Sequence, residues 1–153
     1  MLALGTWQYQ GGIDPLRAGI DLGVTFIDTA ESYGTEEVVG EAIRGIRDRV
    51  FVATKASPRH FRRRDLIRAA EQSLRHLNTD YVDLYQLHWP NYCVVIEETM
   101  SAMEQLVASG KVRAIGLSNF SRREVEQAQL CLTSNLIVSN QVRYSLGGAH
   151  DRR

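Results

Sequence analysis

Cysteine is scarce in this chain. Its 153 residues hold two, Cys93 and Cys131, far apart and without a CxxC. That excludes a disulfide framework and points to two reduced, partly buried thiols, with one long-range disulfide as the alternative. An excess of either charge is also missing, since 18 Lys and Arg balance 18 Asp and Glu. Zero net charge gives no reason to expect nucleic acid or an anionic membrane as partner, which leaves small molecules and proteins. No apolar run approaches the ~20 residues of a membrane span. Met1–Trp7 lacks the basic start of a signal peptide, so the chain reads as cytoplasmic. The glycosylation-like Asn119-Phe120-Ser121 then carries no meaning. No His/Cys/Asp spacing suggests a metal site. Neither Gly11-Gly12 nor Gly147-Gly148 fits G-x-G-x-x-G, and no G-x-x-x-x-G-K occurs. Dinucleotide-binding doubly wound and P-loop sheets therefore have little support.

What is present is an ordinary globular composition, 44% hydrophobic and 24% charged, read as one domain over residues 1–153. Six short apolar runs recur: Leu2–Thr6, Thr25–Thr29, Val50–Thr54, Tyr81–Leu87, Ala114–Leu117 and Ile137–Val142. Their near-continuous hydrophobicity is that of strands covered on both faces. Amphipathic segments lie between them. Asp14-Pro15 reads as a helix cap followed by proline at the first helical position, and Gly23 as the stop. Segment 64–77 aligns Leu66, Ile67, Ala70, Leu74 and Leu77 on one stripe. Segment 97–109 gathers Met100, Met103, Leu106 and Val107 and ends at Gly110. Ser121 with Glu124 forms a capping box for the next helix. Six strands alternating with five helices predict an α/β fold with a parallel sheet. Barrel and flavodoxin-like arrangements both stay open at this point.

In parallel sheets, chemistry collects at the carboxyl ends of strands. Five successive strands deliver polar groups there: Asp28, Lys55, His88, the pair Ser118 and Asn119, and Gln141. Singly, each is ordinary; an Asp after a strand is often a cap, and a lone His a hydrogen-bonded core residue. Jointly they are harder to dismiss. Asp28 and Lys55 end consecutive strands after apolar runs, and buried charges are normally paired. An Asp28–Lys55 ion pair is expected. Tyr33, in Asp28-Thr29-Ala30-Glu31-Ser32-Tyr33-Gly34, lies over the same edge. A nearby ammonium lowers a phenol pKa, and His88 relays protons near neutrality. Asp28, Tyr33, Lys55 and His88 thus compose a tunable proton donor for a carbonyl oxygen.

These residues sit in motifs that resemble the aldo/keto reductases. The motifs are Gly5-Thr6-Trp7, Phe26-Ile27-Asp28-Thr29-Ala30-x-x-Tyr33-Gly34, Val52-Ala53-Thr54-Lys55, Asp80–Pro90, Gly110–Phe120 and Asn140-Gln141-Val142-x-Tyr144. They occur in family order over nearly the whole chain. The resemblance implies a (β/α)8 barrel that reduces aldehydes and ketones with NADPH, less often NADH. It implies Tyr33 as proton donor, Lys55 lowering its pKa, Asp28 pairing Lys55, and His88 orienting the carbonyl. Ser118, Asn119 and Gln141 match residues that hold the nicotinamide carboxamide. Trp7 and Trp89 match aromatic positions near the substrate, with core filling as the alternative. A full barrel needs ~250 residues. The chain is therefore expected to form an incomplete TIM-type (β/α) barrel of about six parallel units. It would lack the last two units, which bind the cofactor phosphates, and the N-terminal hairpin. Self-association through open sheet edges is expected. The alternative function is an impaired cofactor-sensing or protein-interaction module. The basic run Arg59–Arg64 reads as a solvated helix entrance, and Tyr92-Cys93 as a loop that flanks a substrate pocket.

Overall fold

A computed structural model describes residues 2–144. The Gly147-Gly148 pair lies outside the described residues. Strands β1 (Ala3–Gly5), β2 (Phe26–Asp28), β3 (Phe51–Ala56), β4 (Leu84–Leu87), β5 (Ile115–Ser118) and β6 (Ile137–Gln141) alternate with helices. The helices are α1 (Ile13–Asp21), α2 (Glu36–Ala42), α3 (Arg63–Leu77), α4 (Ile96–Ala108) and α5 (Arg122–Leu130). The strands pair in parallel in the order β1-β2-β3-β4-β5-β6. A doubly wound sheet reverses its strand order at a switch point. The unbroken order here is that of a barrel wall, an incomplete (β/α) barrel of six units. The flavodoxin-like alternative is excluded.

Strand alternation sorts the two faces. Ile27, Val52, Ala56, Tyr85, Leu87, Ile115 and Leu117 join helix residues Leu16, Ile20, Val39, Leu66, Leu77, Met100, Met103, Leu106 and Ala128 in one core. The other face carries Lys55, Gln86, Gly116 and Ser139, which align in register across β3 to β6. Two glycines are required by close approach. A Cβ on Gly116 would meet Ser139 Oγ at 2.5 Å, and one on Gly40 would meet the Leu77 backbone at 2.7 Å. Gly40 thereby lets α2 lie directly on α3.

Most local signals hold. Gly23 and Gly110 adopt positive φ just beyond α1 and α4. The amides that follow reach back to Gly19 and Leu106, closing both helices in the Schellman pattern. Ser121 accepts from the Glu124 amide, and the Glu124 carboxylate accepts from Ser121 N–H at 2.7 Å. The start of α1 differs from expectation. Gly12, at φ 73°, is its cap, no side chain caps it, and Asp14 and Pro15 stand inside the first turn. Proline is tolerated there because first-turn amides have no intrahelical acceptor. Among the described residues, no helix is long and apolar enough to cross a membrane.

Candidate active site

β2 ends at Asp28, and β3 carries Lys55 one strand over. Asp28 pairs in register with Ala53. Lys55, two residues further up the same face, therefore stands just above the carboxylate. The expected ion pair forms: Lys55 Nζ donates to Asp28 Oδ2 at 2.8 Å and to the Thr29 carbonyl at 2.9 Å. Lys55 is fully buried, 0% exposed. Burying an ammonium is costly unless it is paired and hydrogen-bonded, and both conditions are met. Asp28 Oδ1 is buried without a partner among the described residues.

After β2 the chain makes a short 3₁₀ turn, Glu31–Tyr33, and leaves it through Gly34 in left-handed conformation. The turn folds Tyr33 back over the strand ends. Its hydroxyl lies 3.4 Å from Lys55 Nζ and 3.5 Å from His88 Nε2. The Tyr33 and His88 rings meet edge to face with centroids 5.5 Å apart. His88 follows β4, and its amide donates to the Ala56 carbonyl. All four proton-transfer candidates thus converge on one point. Both phenol contacts are long, as catalytic hydrogen bonds often are before substrate binds.

The electrostatics correct one expectation. Burial, reinforced by the Asp28 carboxylate, raises the Tyr33 pKa above its ordinary value. The neighbouring Lys55 ammonium does not outweigh these two effects. The ammonium is balanced by Asp28 at 2.8 Å, closer than the phenol. Burial also lowers the Lys55 pKa, against the pull of Asp28. His88 is lowered, first by burial and then by Lys55. At neutral pH this leaves a protonated phenol beside a neutral imidazole.

The second group stands along β5 and β6. Ser118, 2% exposed, is the register partner of Gln141. Asn119 takes positive φ of 63°, and its amide donates to the Gln141 carbonyl at 2.9 Å. The Asn119 side chain donates to Ser118 Oγ and to the His88 carbonyl, each at 3.0 Å. The two groups are therefore joined through the His88 backbone. Trp89 stacks beside His88 with ring centroids 6.2 Å apart. Trp89 is 52% exposed and Trp7 69%, so neither fills the core formed by the described residues. Trp7 stands past β1, where Thr6 N–H donates to the Asp28 carbonyl. Among the described residues, Trp7 makes no ring contact with the cluster.

Several participants were missed by sequence reasoning. Ser32 Oγ lies 3.4 Å from His88 Nδ1. Thr6, Thr29 and Thr35 form a buried hydroxyl chain beneath the Asp28 turn. Asn140 clamps Phe120 through both its amide atoms. Ser32, Thr29 and Asn140 sit inside or next to the quoted motifs, and that adjacency was the available signal. Cys93 is exposed rather than partly buried, Cys131 is half-buried, and both are free thiols. The arginines of the basic run are exposed at the entrance to α3, with Arg62 and Arg63 bonded to Glu98, while His60 bonds Glu31 and Phe61 is buried in the core.

Comparisons with known proteins place the chain in a family. The model of the Aldo/keto reductase family matches residues 1–153. The methylglyoxal reductase YeaE of Escherichia coli K12 is 45% identical over 153 residues, spanning 94% of this chain and 54% of that protein. An aldo/keto reductase from Klebsiella pneumoniae, crystallised with NADP and acetate, superposes with a TM-score of 0.83 at 46% identity. It covers 93% of this chain, which covers 53% of it. A K. pneumoniae aldo-keto reductase in complex with NADPH gives 0.84 at 45% identity, covering 98% and 57%. The chain thus spans about half the length of the relatives it matches.

Proposed function

The chain belongs to the aldo/keto reductase family, and on that premise we propose that it reduces an aldehyde or ketone to the alcohol with NADPH, with Tyr33 as proton donor. One observation carries the reading: a half-buried phenol hydroxyl stands within 3.5 Å of both an ammonium and an imidazole at the strand ends. That is the donor set a developing alkoxide needs.

The residues present fit the nicotinamide carboxamide. Ser118, Asn119 and Gln141 bring a hydroxyl and two amides to one strand edge, and amides pair with a carboxamide as donor and acceptor. When bound, the dinucleotide supplies the hydride to the carbonyl carbon, and NADH is the second candidate. Everything else falls to this chain. Tyr33 gives its proton to the carbonyl oxygen, so C=O becomes CH–OH and a phenolate is left. Lys55 stabilises that phenolate, and Asp28 holds Lys55 in place. Neutral His88, steered by Ser32, donates a hydrogen bond to the same oxygen and orients it. Trp7 and Trp89 flank the substrate with exposed aromatic surface. A relative bears the name methylglyoxal reductase, which makes a small 2-oxoaldehyde the first substrate to test. The free thiols of Cys93 and Cys131 suit a reducing compartment such as the cytoplasm.

The test is NADPH consumption with methylglyoxal and a nitrobenzaldehyde. Tyr33→Phe is expected to lower kcat/KM by roughly 10²–10⁴-fold. A wild type that turns over neither carbonyl, or a variant as fast as the wild type, overturns the reading.

Among the described residues, β1 and β6 each pair on one side only. Unpaired edges template pairing with another chain. The 153-residue chain is expected to self-associate through them; a monomer mass at all concentrations in light scattering contradicts this.

A further inference from the structure

The loop that follows β4, residues 88–95, is tied to its surroundings by polar bonds at three points. The His88 carbonyl accepts from Asn119, the Asn91 side chain donates to the Pro58 carbonyl at 2.7 Å, and the Tyr92 hydroxyl donates to Glu124 Oε1 at 2.7 Å. Beneath the loop lies a cavity of about 240 Å³, with Pro90, Val94, Ile96 and Phe120 in its lining. The Tyr92 ring itself is 85% exposed. Val94 packs against the core, but the Tyr92 ring does not, so the position of the loop around Tyr92 depends on the polar ties.

Glu124 is placed to transmit that dependence. Its Oε2 accepts from Ser121 N–H at 2.7 Å and Ser121 Oγ at 2.6 Å, while Oε1 takes the Tyr92 hydroxyl. One carboxylate thus grips both the start of α5 and the loop after β4. The start of α5 continues directly from the turn that carries Ser118 and Asn119. The loop carries His88 and Trp89. We propose that the Tyr92–Glu124 bond is a latch coupling the cofactor-side turn to the substrate-side loop, so that a dinucleotide seated at Ser118 and Asn119 also fixes His88 and Trp89 over the carbonyl. The coupling rests on the functional reading above; the latch itself rests on the geometry. Tyr92 and Glu124 act here as positioning residues, through the loop and the start of α5 that their bond joins.

Tyr92→Phe keeps the ring and deletes the bond. A net hydrogen bond of ~1 kcal/mol corresponds to a factor of about five. Amide exchange of Cys93, whose N–H donates to Asn91 Oδ1 within the loop, is accordingly expected to speed up about fivefold in Tyr92→Phe. NADPH should slow that exchange in the wild type and not in the variant. The carbonyl KM should rise by about the same factor with kcat and NADPH affinity nearly unchanged. A general structural defect would instead lower thermal stability and move kcat together with KM, and that outcome overturns the latch. Unchanged exchange and unchanged KM overturn it too. If the wild type neither binds NADPH nor turns over a carbonyl, the functional reading fails. The exchange rates of the ligand-free chain then decide the latch alone.

Discussion

The two ends of the sheet each hold a largely buried carboxylate among cations, and they use it differently. At the carboxyl ends of the strands, Asp28 engages Lys55 through one oxygen and leaves the other buried and unpartnered among the described residues. The neighbouring phenol and imidazole make only long contacts. At the amino ends, Asp83, 6% exposed, is fully engaged. It accepts from Arg47 at 2.7 Å, from Val52 N–H at 2.9 Å and from Arg113 at 3.0 Å. The Tyr81 ring lies between the two guanidinium groups, 4.1 and 3.7 Å from its centroid. One end keeps polar capacity for a ligand; the other uses all of it to bind three successive strand entries together. This is the division of labour expected of a βα barrel, whose upper face reacts and whose lower face stabilises.

The contrast breaks if the upper cluster turns out to be structural. Tyr33→Phe should lower kcat/KM by roughly 10²–10⁴-fold, yet leave the melting temperature nearly unchanged, because the lost contacts are long and half-buried. A large drop in melting temperature would make Tyr33 part of the framework rather than the chemistry.

Asp83→Ala should do the opposite. Removing the acceptor leaves Arg47, whose side chain is 16% exposed, with its bonds to Thr79, Val50 and Tyr81 but without its counter-charge, and frees the Val52 amide. Broken buried pairs cost about 3–5 kcal/mol. Arg113 is 59% exposed and recovers by solvation, so the low end, about 3 kcal/mol, applies here. Tm should fall by roughly 6–12 °C, while the folded fraction keeps its NADPH affinity. A variant that melts with the wild type and loses dinucleotide binding would reverse the roles of the two ends.

The two ends were not equally legible in the sequence. The upper cluster sits directly after apolar runs, where alternation and strand order bring Asp28, Lys55 and His88 to one edge. The six strands were legible for the same reason, with ends displaced by a few residues, as at Tyr81–Leu87 against Leu84–Leu87. Asp83 lay inside that apolar run and was given no role of its own. Its partners Arg47 and Arg113 are 36 and 30 residues away, and no local period encodes such distances. The Tyr92–Glu124 bond, 32 residues long in sequence, was hidden likewise. The direction of the Tyr33 shift depended on burial outweighing a neighbouring ammonium, a balance of depths that composition does not carry. At α1, Asp14-Pro15 is a sound start signal overtaken by Gly12, whose positive φ admits the chain two residues earlier.

The smallest effect concerns a carboxylate on the outer layer that is satisfied like Asp83 but lies in contact with solvent. Glu104 on α4 accepts from the amides of Thr133 and Ser134, each at 2.9 Å, and from the Thr133 hydroxyl at 2.9 Å. It thereby anchors the connection that leads into β6. The Ser134 amide above all, opposed by desolvation and helped by the Thr133 hydroxyl, holds its pKa at about 2. In the unfolded chain a glutamate takes its proton near ~4.3. Between those values the unfolded state binds more protons, so acidification favours unfolding. The contribution of Glu104 is complete above ~4.3 and disappears as pH falls toward about 2. Glu104→Gln should therefore melt a few degrees below the wild type at neutral pH, and the gap should close across that acid window. Solvent screening keeps the gap smaller than that of Asp83→Ala. A gap that persists undiminished through the window would place the effect in packing rather than charge, and would separate Glu104 from the satisfied carboxylates with which it is grouped here.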